Sequence, residues 1–405
     1  DPSSAVRTGA ADVLRTLALE LDGTELAVGT TTGAVTMGAG DEPLHRILAW
    51  AREMEASDVH LTADEAPLVR LHGELVRLDD QGVLTTAQVR DLVLPHLNER
   101  QRKALRTSGE TDFCLAVPEV GRYRGNAYVQ RRGICANFRV IPNLPPTFSE
   151  LRIPAHLASI VDYHQGLIVV SGPSGCGKST TLAAMLDLVN RTRPVHIITL
   201  EDPIEFVHPT RTALVNQREV GTDTVSFAKG LRQALREDPD VVMVGEMRDL
   251  ETIRMALVAA ETGHLVIATL HTPSAVQTID RLVESFPYDE RAQVRMTLSE
   301  TLKFVICQTL LPRSDGRGRV ACFEVLKATH SIAHLVRENK TYQIQNQMQT
   351  GRNHGQQTRD QALMDLVNAR VVRPEVAWAR AEKPEAFEPL CPPEFLRQRD
   401  MGAPA

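Results

Sequence analysis

One short segment limits this chain more than any other: Gly172-Pro-Ser174-Gly175-Cys176-Gly177-Lys178-Ser179-Thr180. It satisfies G-x-x-x-x-G-K-[ST], follows directly on the apolar run Gly166-Leu-Ile-Val-Val-Ser171, and precedes a stretch whose Leu182, Met185, Leu186 and Val189 share one helical face. Strand, glycine-rich turn and helix in that order make the first unit of a parallel sheet covered on both faces. The glycines let backbone N–H groups of the loop converge on phosphate oxygens at the positive end of the helix. Lys178 supplies charge to the β and γ phosphates, and the hydroxyl of Ser179 is suited to Mg²⁺. ATP with Mg²⁺ is therefore the expected ligand.

Further apolar, β-branched strands alternate with helical stretches: His196-Ile-Ile-Thr-Leu, Asp240-Val-Val-Met-Val, and His264-Leu-Val-Ile-Ala-Thr-Leu. Carboxylates stand just past two of them, Glu201, Asp202 and Glu205 after the first and Glu246 after the second. In an open parallel sheet the ligand crevice lies outside the carboxyl ends of the strands, so these acids are candidates for the same site. One acid near Mg²⁺ would orient a metal-bound water, and another would take a proton from the attacking water. His271 closes the last of these strands, and His264 opens it. At ~3.3 Å per residue they lie roughly 20 Å apart, so both cannot touch one γ-phosphate. His271 is the expected γ-phosphate sensor, and for His264 a structural or interface role stays open.

Residues 1–41 read as a low-complexity extension with one helical-looking stretch, Ala11 to Leu21. From 42 to 141 the pattern is that of a compact α+β module: helical spacing of Leu44, Ile47, Leu48 and Ala51, an alternating hairpin over Leu68–Leu78, and two strands joined by Gln130-Arg-Arg-Gly. The prolines within 142–154 mark an interdomain linker. Residues 155–380 form the nucleotide-binding domain, mostly helical in period from about Pro287, and the tail over 381–405 is expected to fray after Pro384. A net charge of -6 argues against nucleic acid as the main partner. No apolar run approaches the ~20 residues of a membrane span, and the N-terminus shows no signal-peptide pattern. A cytoplasmic location is expected. The six cysteines stand singly, the wrong spacing for a zinc cluster or a disulfide framework.

Over roughly residues 42 to 380 the chain resembles the type IV pilus retraction ATPases of the secretion ATPase superfamily. Besides the glycine-rich loop, the resemblance is carried by Ala56-Ser-Asp-Val-His-Leu, by Leu200-Glu-Asp-Pro-Ile-Glu-Phe-Val-His, by Asp240-Val-Val-Met-Val-Gly-Glu-Met-Arg-Asp-Leu-Glu-Thr, and by Gly263-His-Leu-Val-Ile-Ala-Thr-Leu-His-Thr. It implies a PAS-like α+β domain followed by a RecA-like P-loop domain with a helical C-terminal region. It also implies that Glu205 is the catalytic base, that Glu246 holds Mg²⁺ through water, and that Arg124 and Arg139 reach the γ-phosphate from the N-terminal module. A homohexameric motor for pilus retraction and twitching motility follows, docked on an inner-membrane platform protein and so peripheral to the membrane. Extension and type II secretion ATPases, and a regulatory module without turnover, are the alternatives. The tetracysteine zinc insert of the extension type is excluded by the isolated cysteines. Ser331-Ile-Ala-His-Leu-Val-Arg-Glu matches the retraction family's A-I-R-N-L-I-R-E helix at Ile332, Leu335, Arg337 and Glu338.

Overall fold

A computed structural model describes residues 42–71, 73–78, 82–142 and 144–400. The 1–41 extension, with its stretch Ala11 to Leu21, lies outside them. The chain divides into two compact units, Asp1–Asn143 and Leu144–Ala405.

In the first unit, α1 (Pro43–Glu53) buries Leu44, Ile47, Leu48 and Ala51, the spacing that places one apolar stripe on a sheet. The strands β1 (Asp58–Leu61), β2 (Leu68–Leu71) and β3 (Glu74–Arg77) precede α2 (Thr86–Val93) and α3 (Glu99–Ser108), each helix opened by a capping box from Thr85 or Asn98. Then come β4 (Glu110–Val117), β5 (Gly121–Gln130) and β6 (Gly133–Ile141), giving an antiparallel sheet of order β3-β2-β1-β6-β5-β4. The strand β4 escaped the sequence reading, although Phe113, Leu115 and Val117 alternate inward along it. Tyr123 is fully buried against α1, its hydroxyl donating to the carbonyl of Leu48 at 2.8 Å.

The second unit is built on a seven-stranded sheet of order β13-β12-β7-β11-β10-β8-β9. Its strands β7 (Gly166–Ser171), β8 (His196–Glu201), β9 (Leu214–Glu219, at one edge), β10 (Val241–Val244) and β11 (Leu265–Leu270) are all parallel. The helices α4 (Lys178–Thr192), α5 (Phe227–Ala234), α6 (Leu250–Glu261), α7 (Ala275–Glu284) and α8 (Arg291–Thr301) alternate with them or follow. Because both faces are covered, β7, β10 and β11 are buried at every residue.

The C-terminal region holds two features that the sequence reading did not give. The stretch after Pro287 is mostly helical as expected, but it also contains two strands: β12 (Leu302–Pro312) pairs parallel with β7, and β13 (Arg319–Lys327) folds back antiparallel on it. An apolar run such as Phe304-Val-Ile-Cys fits a buried strand or a buried helix equally, and the open edge of β7 decides for the strand. Nor does the tail fray at Pro384. The helices α9 (His330–Arg337), α10 (Ile344–Thr350), α11 (Arg359–Asn368), α12 (Pro374–Trp378) and α13 (Pro393–Asp400) complete the fold. Phe387, with no exposed surface, packs with Leu311, Val320 and Leu363. Phe395 adds an edge-to-face contact with Trp378, so aromatic packing holds a proline-rich segment that lacks helical periodicity. Of the retraction-helix matches, Ile332 and Leu335 are buried on α9, while Arg337 and Glu338 are exposed.

Candidate functional site

The loop from Gly172 to Gly177 joins β7 to α4, and its glycines are dictated by space at Gly172 and by positive φ. At Gly172, with φ at +141°, a Cβ would come within 2.3 Å of the carbonyl oxygen of Gln308, and Gly175 and Gly177 lie at φ of +75° and +88°. The loop is held from a neighbouring strand by a residue the sequence reading missed. Gln308 of β12 donates through Nε2 to the carbonyl of Cys176 at 2.6 Å, and its Oε1 accepts from the hydroxyl of Thr181 at 2.7 Å. A glutamine inside an otherwise apolar run was the one available signal.

Lys178 is buried at the first turn of α4, where its Nζ donates to the carbonyls of Gly172 at 2.8 Å and Pro173 at 3.1 Å. Burial pushes its ammonium below the usual lysine range, and the nearby Cys176, Glu246 and Glu205 act in the opposite sense. The same Nζ lies 3.3 Å from Nδ1 of His271, whose Nε2 is 3.0 Å from Oε1 of Glu246. An ammonium is donor only, so Nδ1 must accept and the proton of a neutral His271 sits on Nε2, where it is donated to Glu246. Lysine, histidine and glutamate thus form one chain across the carboxyl ends of β7, β11 and β10.

Burial raises the affinity of Glu246 for a proton, but the hydrogen bond from Arg248 at 2.7 Å and the neighbouring His271 outweigh it and hold the carboxyl below its ordinary range. Glu201, at the end of β8, is deeply buried, and desolvation pushes its carboxyl up. It accepts from the hydroxyl of Thr199 at 2.6 Å and from Gln217 Nε2 at 2.9 Å, and from the backbone N–H of Glu205. Glu201 therefore shapes the turn that carries Glu205, while Asp202 is exposed beside a cis bond to Pro203. Glu205 itself is half-buried.

His264 lies at the opposite edge of the sheet, its carbonyl accepting from the N–H of Gly166 at 3.0 Å and its ring packed toward the carbonyl of Ala259. It stands just past the end of α6, away from the phosphate loop. Arg124 and Arg139 belong to the first unit, where they stand directly opposite each other on β5 and β6, both exposed. Arg139 donates through Nε to Asp58 at 2.9 Å.

Residues 149–378 match the type II/IV secretion system protein family. The type IV pilus retraction ATPase PilT of Pseudomonas aeruginosa is 49% identical over 341 residues, which cover 84% of this chain and 98% of the relative. This chain is a member of the pilus retraction ATPase family. A second retraction-family relative, a twitching motility protein of Neisseria gonorrhoeae, is 48% identical over 321 residues, 79% of this chain and 86% of its own length. Among solved structures, the pilus retraction motor PilT with bound ADP superposes with a TM-score of 0.80 at 45% identity, covering 85% of this chain and 98% of that one. The pilus retraction ATPase fold, an N-terminal α+β domain followed by a RecA-like P-loop domain, agrees with the two sheets described above.

Proposed function

We propose that this chain hydrolyses ATP and, as a homohexamer, powers the retraction of type IV pili. The observation that carries this reading is the convergence of the glycine loop, Lys178, His271, Glu246 and the turn bearing Glu205 on one sheet edge, in a chain akin along most of its length to retraction motors.

The residues present suit MgATP. The loop from Ser174 to Gly177 offers backbone N–H groups at the start of α4, in a space that tolerates no Cβ at Gly172. Phosphate oxygens would replace the carbonyls of Gly172 and Pro173 as acceptors for Lys178, with Ser179, Thr180 and the loop amides as neighbours. Bound Mg²⁺ would supply charge neutralisation between the phosphates, held by Ser179 and, through water, by Glu246. Glu205 takes the proton of the attacking water. His271 connects Lys178 to Glu246, so a shift of either on phosphate binding is felt by the other. In this reading Arg124 and Arg139 supply the positive charge that meets the transferring phosphoryl group, a contribution that reaches 10³-fold or more in related chemistry.

Among the described residues no helix is long and apolar enough to cross a membrane, in keeping with a motor that works from the cytoplasmic side through a platform protein of the inner membrane. The test is Glu205→Gln. ATP binding should persist while turnover falls by ~10²-fold or more, as expected for loss of a general base, and host cells carrying only this variant should accumulate unretracted pili. Undiminished turnover would move the base elsewhere, and loss of all pili on deleting the gene would mark an extension motor.

A further inference from the structure

Far along the chain from the phosphate loop, three side chains of the first unit turn their donor atoms toward one point. Glu42 caps the start of α1 and His45 follows one helical turn later, while His96 comes from the short connection between α2 and α3. Nε2 of His45 lies 3.4 Å from Oε2 of Glu42, and Nε2 of His96 lies 3.6 Å from that same oxygen. All three donor atoms are within 4.8 Å of one another.

These separations are those of ligands around a shared centre. Donors at about 2.0–2.1 Å from a tetrahedral ion stand roughly 3.3–3.4 Å apart, close to the two measured edges. The contact with Glu42 does not satisfy the nitrogen of His45. His45 Nε2 is buried and makes no hydrogen bond despite the nearby carboxylate oxygen. A buried nitrogen left without a bond carries a desolvation cost that a bound cation would remove. The two imidazole rings stand 5.3 Å apart at 37°, tilted so that neither stacks flat on the other.

We propose that Glu42, His45 and His96 form a binding site for a divalent transition cation of the zinc class, with the fourth tetrahedral position taken by water. Two imidazoles and one carboxylate suit Zn²⁺, whereas Mg²⁺ and Ca²⁺ prefer all-oxygen sets. The ion ties the first turn of α1 to the α2–α3 connection, two segments otherwise far apart in sequence, and so acts as a clip on the helical side of the N-terminal domain. It is separate in chemistry from the Mg²⁺ that accompanies ATP.

The experiment is Zn²⁺ titration of the full chain against a chromophoric chelator, with thermal unfolding followed in parallel. Wild type should take up one equivalent more than His96→Gln, and Zn²⁺ should raise the melting temperature of the N-terminal unit in wild type alone. Glu42 is 62% exposed at its side chain, so Glu42→Gln keeps the fold and should weaken uptake at least tenfold. Co²⁺ in place of Zn²⁺ should give visible absorption of tetrahedral strength in wild type that both variants lose. Equal zinc uptake by wild type and His96→Gln, or by wild type and a well-folded Glu42→Gln, would overturn the site. Uptake of Mg²⁺ in preference to Zn²⁺ at these residues would overturn the assignment of the ion.

Discussion

Replacing Gln308 by leucine tests how the phosphate loop is held. The side chain is 3% exposed and makes two short bonds, accepting from Thr181 and donating to the carbonyl of Cys176. Leucine keeps the bulk and removes both, leaving a hydroxyl and a carbonyl without partners in a dry place. Each orphaned group costs about 1–3 kcal/mol, and since the amide's own desolvation is no longer required, a net loss of about 2–4 kcal/mol is expected. Adding Thr181→Val removes one of the two orphans, so the double variant should be more stable than the sum of the single losses by at least about 1 kcal/mol. The chain has two tryptophans, Trp50 in the first unit and Trp378 in the second. In a Trp50→Phe background, urea unfolding followed by Trp378 fluorescence therefore reports the P-loop unit. Because the carbonyl of Cys176 belongs to the phosphate-binding backbone, ADP affinity should fall about tenfold, equivalent to about 1.4 kcal/mol. Losses that add to within about 0.3–0.5 kcal/mol, with unchanged ADP affinity, would refute the idea that Gln308 braces the loop.

Two further outcomes are expected. Lys178→Ala should abolish ATP binding and turnover together, as measured by fluorescent-nucleotide titration and phosphate release; near-normal turnover would remove Lys178 from the phosphates. His208, buried in the segment that follows Glu205, is pushed down to about 4 by burial, against the opposing influence of Asp187, from an ordinary value of 6.5. Its neutral form is the folded form, so its stability contribution is complete above pH 6.5 and is lost as pH falls toward 4, by roughly 3 kcal/mol in all at about 1.4 kcal/mol per unit. Between pH 7 and 5 wild type should lose about 2 kcal/mol more than His208→Gln in urea unfolding, and parallel profiles for the two would show that His208 does not carry the difference.

Much of the site was legible because its chemistry is written in short, ordered segments. Strand ends place Glu246 and His271 beside the glycine loop without any knowledge of tertiary contacts, and the sheet order then brings β10, β11 and β7 side by side. Gln308 was not legible, since its partners Cys176 and Thr181 are distant in sequence and meet it only when β12 pairs with β7. The same pairing explains why β12 was not singled out as a strand. The strand β4 and the packed tail failed for a related reason: the deciding partner, β5 for one and the Leu311 and Val320 surface for the other, lies elsewhere in the chain. His264 was left open by the sequence, and its place at the opposite sheet edge is a matter of register with Gly166.

The facing arginines of β5 and β6 differ in how their side chains are held. Arg139 is aimed by the buried carboxylate of Asp58, which itself accepts from the hydroxyl of Ser57 at 2.9 Å, and this gives Ala56-Ser-Asp-Val-His-Leu a concrete task. Among the described residues no hydrogen bond or ion pair holds Arg124. An arginine side chain carries about 2 kcal/mol of rotamer entropy. For Arg139 much of that ordering is completed when the domain folds. For Arg124 that freedom is retained in the folded domain. Two like charges placed directly opposite also repel, which disfavours close approach of the two guanidinium groups. The pair therefore combines a fixed pointer with a swinging arm, and loss of Asp58 would turn the pointer into a second arm without removing any positive charge.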